Sequence, residues 1–177
     1  KFDEERTNNP DYIPISSQNI SILEVGANAE AFDKLVRFFD IQTLIITDID
    51  TTLKTNNANG TTYPAHKVEG STHTSNTTIK KYFNAPDVNS ADFPTWFDEL
   101  KRDTLIITDT NKIKVSYQTN EDNYHARSFE DAFIKVNLAE LITQKDKLRG
   151  LQNKSELIDT TEIYNLTERI LKKKSDF

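Results

Sequence analysis

The segment Thr43-Leu44-Ile45-Ile46-Thr47-Asp48-Ile49-Asp50-Thr51-Thr52-Leu53 constrains the fold more than any other part of the chain. Its apolar run has the pattern of a strand buried in a parallel sheet. Two carboxylates follow at once, and in open α/β sheets ligands gather beyond the carboxyl ends of strands. Residues two apart in an extended segment point the same way, which puts Asp48 and Asp50 side by side. Such a pair repels and raises one pKa unless a cation lies between. Mg2+ or Mn2+ suits it, needing few protein ligands and leaving positions for a substrate phosphate. The motif therefore predicts a divalent-metal site for chemistry on a phosphate ester. The plainer alternative has one Asp capping the next turn and the other solvated.

The surrounding pattern predicts an α/β fold, a mostly parallel central sheet flanked by helices. Residues 1–19 are polar, with Pro10 and Pro14, and read as a leader or loop. A strand is expected over 20–25, stopped by Gly26. A helix over 29–39 would set Phe32, Leu35, Val36 and Phe39 on one face. With the strand at 43–47 these make a β-α-β unit. Residues 51–76, rich in Thr, Asn and Gly, read as a long loop at the active edge. A short helix over 77–83 follows, capped by Ser75 or Asn76. Another spans Phe93–Lys101, with Pro94 in its first turn. Strands are expected over 104–107 and 112–117, the second alternating polar and apolar. The clearest helix covers 128–142, with Ser128 as cap, Asp131 at the capping-box position, and Phe129, Phe133, Val136 and Leu141 near one face. Gly150 breaks the next segment. A last helix over 161–174 carries Ile163, Leu166, Ile170 and Leu171.

Composition excludes several classes. With no Cys there are no disulfides and no thiolate zinc sites, and the three histidines lack zinc-like spacing. The longest apolar runs are far too short to cross a bilayer. The charged start (Lys1-Phe2-Asp3-Glu4-Glu5) has no signal-peptide character, so no membrane role and a cytoplasmic location are expected. The net charge is −6, with basic residues gathered only locally, as in Lys172-Lys173-Lys174. An acidic total is compatible with a carboxylate metal site. Met is absent, even at position 1, so an excised or processed piece with more sequence upstream is expected.

Two enzyme classes place Asp-x-Asp after a strand. Asp48-Ile49-Asp50-Thr51-Thr52-Leu53 resembles the haloacid-dehalogenase phosphatase motif, in which Asp48 would be the nucleophile and Asp50 the acid/base. Thr51 departs from the Gly usual there, and a β-α unit precedes the motif that normally opens that domain. The Toprim nuclease domain uses the same element to bind Mg2+. Three further segments favour it: Gly70-Ser71-Thr72-His73-Thr74-Ser75-Asn76, then Tyr124-His125-Ala126-Arg127-Ser128-Phe129-Glu130-Asp131-Ala132-Phe133-Ile134, then Lys174-Ser175-Asp176-Phe177. In this order they resemble the Toprim half of OLD-family (overcoming lysogenization defect) ATP-dependent endonucleases, which include Gabija-type anti-phage nucleases. The resemblance covers 20–177, read as one Toprim domain.

The resemblance implies a bacterial DNA endonuclease dependent on Mg2+ or Mn2+, with two ions in the intact site. Asp48 and Asp50 would be metal ligands, and Thr51 a further ligand or phosphate contact. Glu130 or Asp131 would complete the site; the alternative is that both only cap their helix. Lys174 would stabilise the developing phosphorane charge, or else end a helix as a solvated base. Arg127 would bind DNA phosphate or pair with Asp131, and Ser75 and Asn76 would contact the scissile strand or cap the next helix. The implied partners are DNA, an N-terminal ATPase half of the same protein, a helicase, and further copies in a homo-oligomer. The chain has no Gly-x-x-x-x-Gly-Lys-Ser/Thr P-loop. The early Toprim Glu-Gly motif is not found ahead of Asp48 and is expected upstream of Lys1, so weak or no activity is expected of this segment alone. A non-catalytic module, its acidic cluster only ordering loops, is the remaining rival.

Overall fold

A computed structural model describes residues 3, 11–26, 28–149, 154–159 and 162–172. The chain is a mixed α/β protein. A short helix α1 (Asp33–Phe38) follows a 3-10 turn at Ala29–Phe32, close to the expected 29–39. Strand β1 (Thr43–Ile46) comes next, then four short strands, β2 (Thr51–Thr52), β3 (Thr55–Asn57), β4 (Gly60–Thr62) and β5 (His73–Thr74). Helices α2 (Thr77–Tyr82) and α3 (Phe93–Lys101) precede β6 (Ile113–Ser116). A small hairpin of β7 (Asn120–Glu121) and β8 (Tyr124–His125) leads into α4 (Phe129–Gln144), and α5 is Ile163–Lys172.

The central ladder is β1 against β6, parallel and in register from Thr43 opposite Ile113 to Ile46 opposite Ser116. Helices flank it, as the sequence predicts. The other pairings are antiparallel: β2 with β5, β3 with β4, and β7 with β8. The expected loop over 51–76 thus contains two small ladders, because its Thr-rich stretches have β-branched residues that sit well in extended backbone.

The main core gathers Ile49, Val68, Ile79, Phe83, Phe93, Trp96, Phe97 and Leu100. Trp96 satisfies its buried indole N–H on the Phe83 carbonyl at 2.9 Å. A second cluster packs Ile134 of α4 on Ile163 and Leu166 of α5, with Leu157 between. Helix α2 is capped by Asn76, whose side-chain oxygen accepts from Ile79 N at 2.9 Å; Ser128 caps α4 through Asp131 N.

Four expectations are corrected. Residues 20–25 form no strand; Ile22 is 89% exposed, and no neighbouring strand among the described residues offers them a ladder. Residues 104–107 alternate in burial like a strand, with Leu105 and Ile107 against the core, yet they join no ladder. Strand β1 is covered on one face only: Ile45 is buried with Tyr82 and Ile113, while Leu44 and Ile46 are exposed. The apolar face expected on α4 is likewise split. Phe129, Phe133 and Val136 are exposed, and the helix packs on α5 through Ile134, Leu138, Leu141 and Ile142 instead. Gly150, Lys174 and the closing Ser175-Asp176-Phe177, together with the side chains of Ile170 and Leu171, lie outside the described residues.

Candidate functional site

The site forms where β1 and β6 end side by side. Thr47 N still donates to Ser116 O at 3.0 Å, and then the two chains part. Ile49 turns inward and is fully buried, which anchors the motif in the core between its two aspartates. Asp50 then takes a left-handed conformation, φ 48°. Asp tolerates this region better than most residues, and it turns the chain out of the extended path. The simple rule that residues two apart share a side therefore does not describe this segment.

The backbone from Asp48 O to Asp50 O is clamped from elsewhere. Thr74 Oγ1 donates to Ile49 O at 2.6 Å. Asn76 Nδ2 donates to Thr47 Oγ1 and to Asp48 O, both at 2.7 Å. Ser75 N donates to Asp50 O at 3.0 Å, and Asp50 N to Arg127 O at 3.3 Å. Thr74, Ser75 and Asn76 thus act on the motif's backbone, and Asn76 caps α2 with the same side chain. Buried amides and carbonyls need such partners, and supplying these from folded elements holds the turn in place.

The carboxylates differ in their surroundings. Asp48 Oδ1 accepts from Gln118 Nε2 at 2.5 Å and from Phe129 N at 2.8 Å, the first amide of α4. The helix N-terminus favours this negative charge. Asp50 is half-buried; burial chiefly pushes its carboxyl above the ordinary value. Arg127 opposes that shift, while the charges of Asp48 and Glu130 add to it. Asp48, Asp50 and Glu130 are thus within electrostatic reach of one another.

Asp131 is placed differently. It is 2% exposed, and its oxygens accept from Tyr124 Oη at 2.6 Å and from Arg127 N at 2.8 Å. Burial is the largest influence and raises its carboxyl, although the hydrogen bonds from Tyr124, Arg127 N and Thr167 pull the other way. Thr51 is fully buried, and its hydroxyl donates to His66 O at 2.6 Å. Arg127 is 13% exposed along its side chain; its Nε donates to Thr51 O at 2.9 Å, and its Nη atoms lie 3.5 Å from Asp50 and 3.6 Å from Glu168. The pairing foreseen for Arg127 with Asp131 exists through its backbone N–H. The sequence does not single out Gln118, and it marks Thr74 only as part of the Gly70–Asn76 segment, with no role of its own. The signal that points to Gln118 is its position just past β6, whose parallel pairing sets its end beside that of β1.

Among the described residues, no group of three His, Cys, Asp or Glu side chains stands ready to hold a metal ion. The donor chemistry nevertheless fits a hard cation. Mg2+ is commonly held by one or two carboxylates and keeps its remaining positions for water and phosphate. Asp48 and Asp50 can supply that pair, and a dication beside them would relieve the unfavourable charging of Asp50.

Fold and site together define an α/β chain with an acidic turn at the carboxyl end of a parallel strand pair. The chain is similar to Endonuclease GajA of Bacillus cereus (strain HuB5-5), 30% identical over 168 residues, or 89% of this chain. It spans 23% of that relative's length. No family model matches the chain. No solved structure matches it either. No helix among the described residues is long and apolar enough to cross a membrane.

Proposed function

We propose that this chain carries the nuclease site of an OLD-type endonuclease that cleaves DNA phosphodiester bonds with Mg2+ or Mn2+ in defence against phage. The carrying observation is the acidic turn itself: Asp48 and Asp50 are rigidly presented at a strand end, beside Glu130, in a chain similar over most of its length to a protein named an endonuclease.

Asp48 and Asp50 would hold the cation, with Glu130 the better placed of the late acidic pair because its charge reaches Asp50. Asp131 is enclosed by Tyr124 and Arg127, which suits it to fixing the start of α4. Thr51 supports the turn from below through His66. The bound ion would polarise the phosphate and lower the pKa of an attacking water. The chain's own carboxylates would hold that ion, and the hydrogen bonds around the turn keep its backbone in place. Lys174 remains the proposed stabiliser of charge on the phosphate. An ATPase region elsewhere in the protein, a helicase partner and self-association are proposed with the family reading, and the greater length of the relative agrees with the first.

Incubating supercoiled plasmid with the chain in Mn2+ tests the reading. Slow nicking that stops with chelator and in Asp48→Ala supports it. Nicking that survives Asp48→Ala, or turnover of a small phosphomonoester with an aspartyl-phosphate trapped at Asp48, would replace it.

A further inference from the structure

Gln118 holds the Asp48 carboxylate and the following peptide with one amide. Its Nε2 donates to Asp48 Oδ1 at 2.5 Å, and its Oε1 accepts from Ile49 N at 2.8 Å. A carboxylate can only accept and a peptide N–H can only donate, so this amide has one workable orientation. Its backbone is also fixed, since Gln118 O lies 2.8 Å from His125 Nε2 in the adjoining hairpin.

The second donor to Asp48 is Phe129 N, and it falls on the same oxygen, Oδ1. Among the described residues no hydrogen bond falls on Oδ2. An exposed carboxylate rotates about its last bond and can bind a cation through either oxygen or both. Two donors on one oxygen remove that choice.

We infer that Gln118, together with the Phe129 N–H, is a positioning residue that pins Asp48 Oδ1 and reserves Oδ2 for a divalent cation. This rests on the metal-site reading above. Groups that orient a metal ligand in this way typically change metal affinity ten- to a hundred-fold when removed. The bland alternative is that Gln118 only satisfies the buried Ile49 N–H.

Two substitutions remove the donors. Gln118→Met keeps the length of the side chain and deletes the amide. Phe129→Pro deletes one N–H at the first position of α4, where proline is favoured in helices. The preceding residue, Ser128, already has the extended backbone that a following proline demands, φ −141° and ψ 170°. Phe129 itself is 68% exposed, so loss of its ring removes little packing. Ser71→Ala serves as control, because it deletes a buried bond to Val68 O at 2.7 Å that involves neither Asp48 nor the residues clamping its turn.

Calorimetric titration of the chain with Mn2+ reads the outcome, with thermal melts confirming the fold. Gln118→Met and Phe129→Pro should each weaken Mn2+ binding by about ten-fold or more, while Ser71→Ala lowers the melting temperature and leaves affinity near wild type. Wild-type affinity in a folded Gln118→Met overturns the inference, and so does an equal loss in Ser71→Ala, which would place the effect in overall stability. If Gln118→Met does not fold, unchanged affinity in Phe129→Pro overturns it. Absence of Mn2+ binding by the wild type would overturn the metal-site reading and this inference with it.

Discussion

Arg127 Nε donates to the Thr51 carbonyl at 2.9 Å while an Nη of the same guanidinium lies 3.5 Å from Asp50 Oδ1. One side chain therefore braces the backbone after Asp50 and faces its carboxylate, and it reaches Glu168 on α5 as well. Arg127→Ala should destabilise the chain by about 2 kcal/mol, since a buried carbonyl loses its charged donor and two carboxylates lose their counter-charge. Arg127→Lys should recover only part, because an ammonium lacks the fork that makes these contacts together. Urea unfolding of the variants measures both.

Asn76 offers a second stability prediction. It is 4% exposed, caps α2 through Ile79 N, and donates to Thr47 Oγ1 and Asp48 O. Loss of a cap costs about 1 kcal/mol, and leaving the carbonyl without its donor adds about 1 to 2 kcal/mol. Asn76→Ala should therefore lower stability by about 2 to 3 kcal/mol by chemical denaturation. Ser75→Ala, whose hydroxyl makes a longer exposed bond of 3.2 Å to Asp50 O, should change it far less.

Asp50 should show the opposite sign. Its ionised form is held at a cost, chiefly from burial, with Asp48 and Glu130 adding to it. Asn keeps the side-chain shape, tolerates the left-handed backbone and removes the charge. Asp50→Asn should stabilise the metal-free chain by on the order of 1 kcal/mol, because a carboxyl whose pKa is raised by burial is ionised at a cost to folding. Differential scanning calorimetry in chelator is the check; a lower melting temperature would contradict the electrostatic picture.

Some parts of the molecule are legible in its sequence and others are not. Helix α3 falls where its pattern places it, as its sequence carries both an apolar stripe and Pro94 at the start. The parallel character of the 43–47 strand was legible too, from its unbroken apolar run. Burial of both its faces was not, because periodicity reports which residues are apolar and says nothing of whether a second layer covers them. Leu44 and Ile46 have no such layer among the described residues. Similarly, the aspartates of the site stood out by chemistry, whereas Gln118 and Thr74 are ordinary polar residues. Only long-range pairing of β1 with β6 and of β2 with β5 brings them to the turn.

His73 makes acid sensitivity predictable. It is 7% exposed and stacks on Phe93, ring centroids 4.9 Å apart. Burial chiefly pushes its imidazole below the ordinary value of 6.5, and Lys54 and Lys80 push the same way. The unfolded chain therefore binds the proton more readily, so this group's contribution to stability is present above about pH 6.5 and is lost as pH falls below it. His125 is lowered by burial as well and acts with the same sign. His73→Phe preserves the stack and should shrink the loss of stability between about pH 7.5 and about pH 5.5. An unchanged difference between urea midpoints at the two values would rule this out.

The central claim, proposed above, is that Asp48 and Asp50 hold a divalent cation, with the charge of Glu130 nearby. Its most direct test is electron paramagnetic resonance titration of free Mn2+ against the wild-type chain and the Asp48→Asn, Asp50→Asn and Glu130→Gln variants. The account predicts saturable Mn2+ uptake by the wild type, weakened at least about ten-fold by either aspartate change and by a smaller factor by Glu130→Gln. No uptake by the folded wild type, or uptake that the Asp48→Asn and Asp50→Asn variants leave intact, would contradict it.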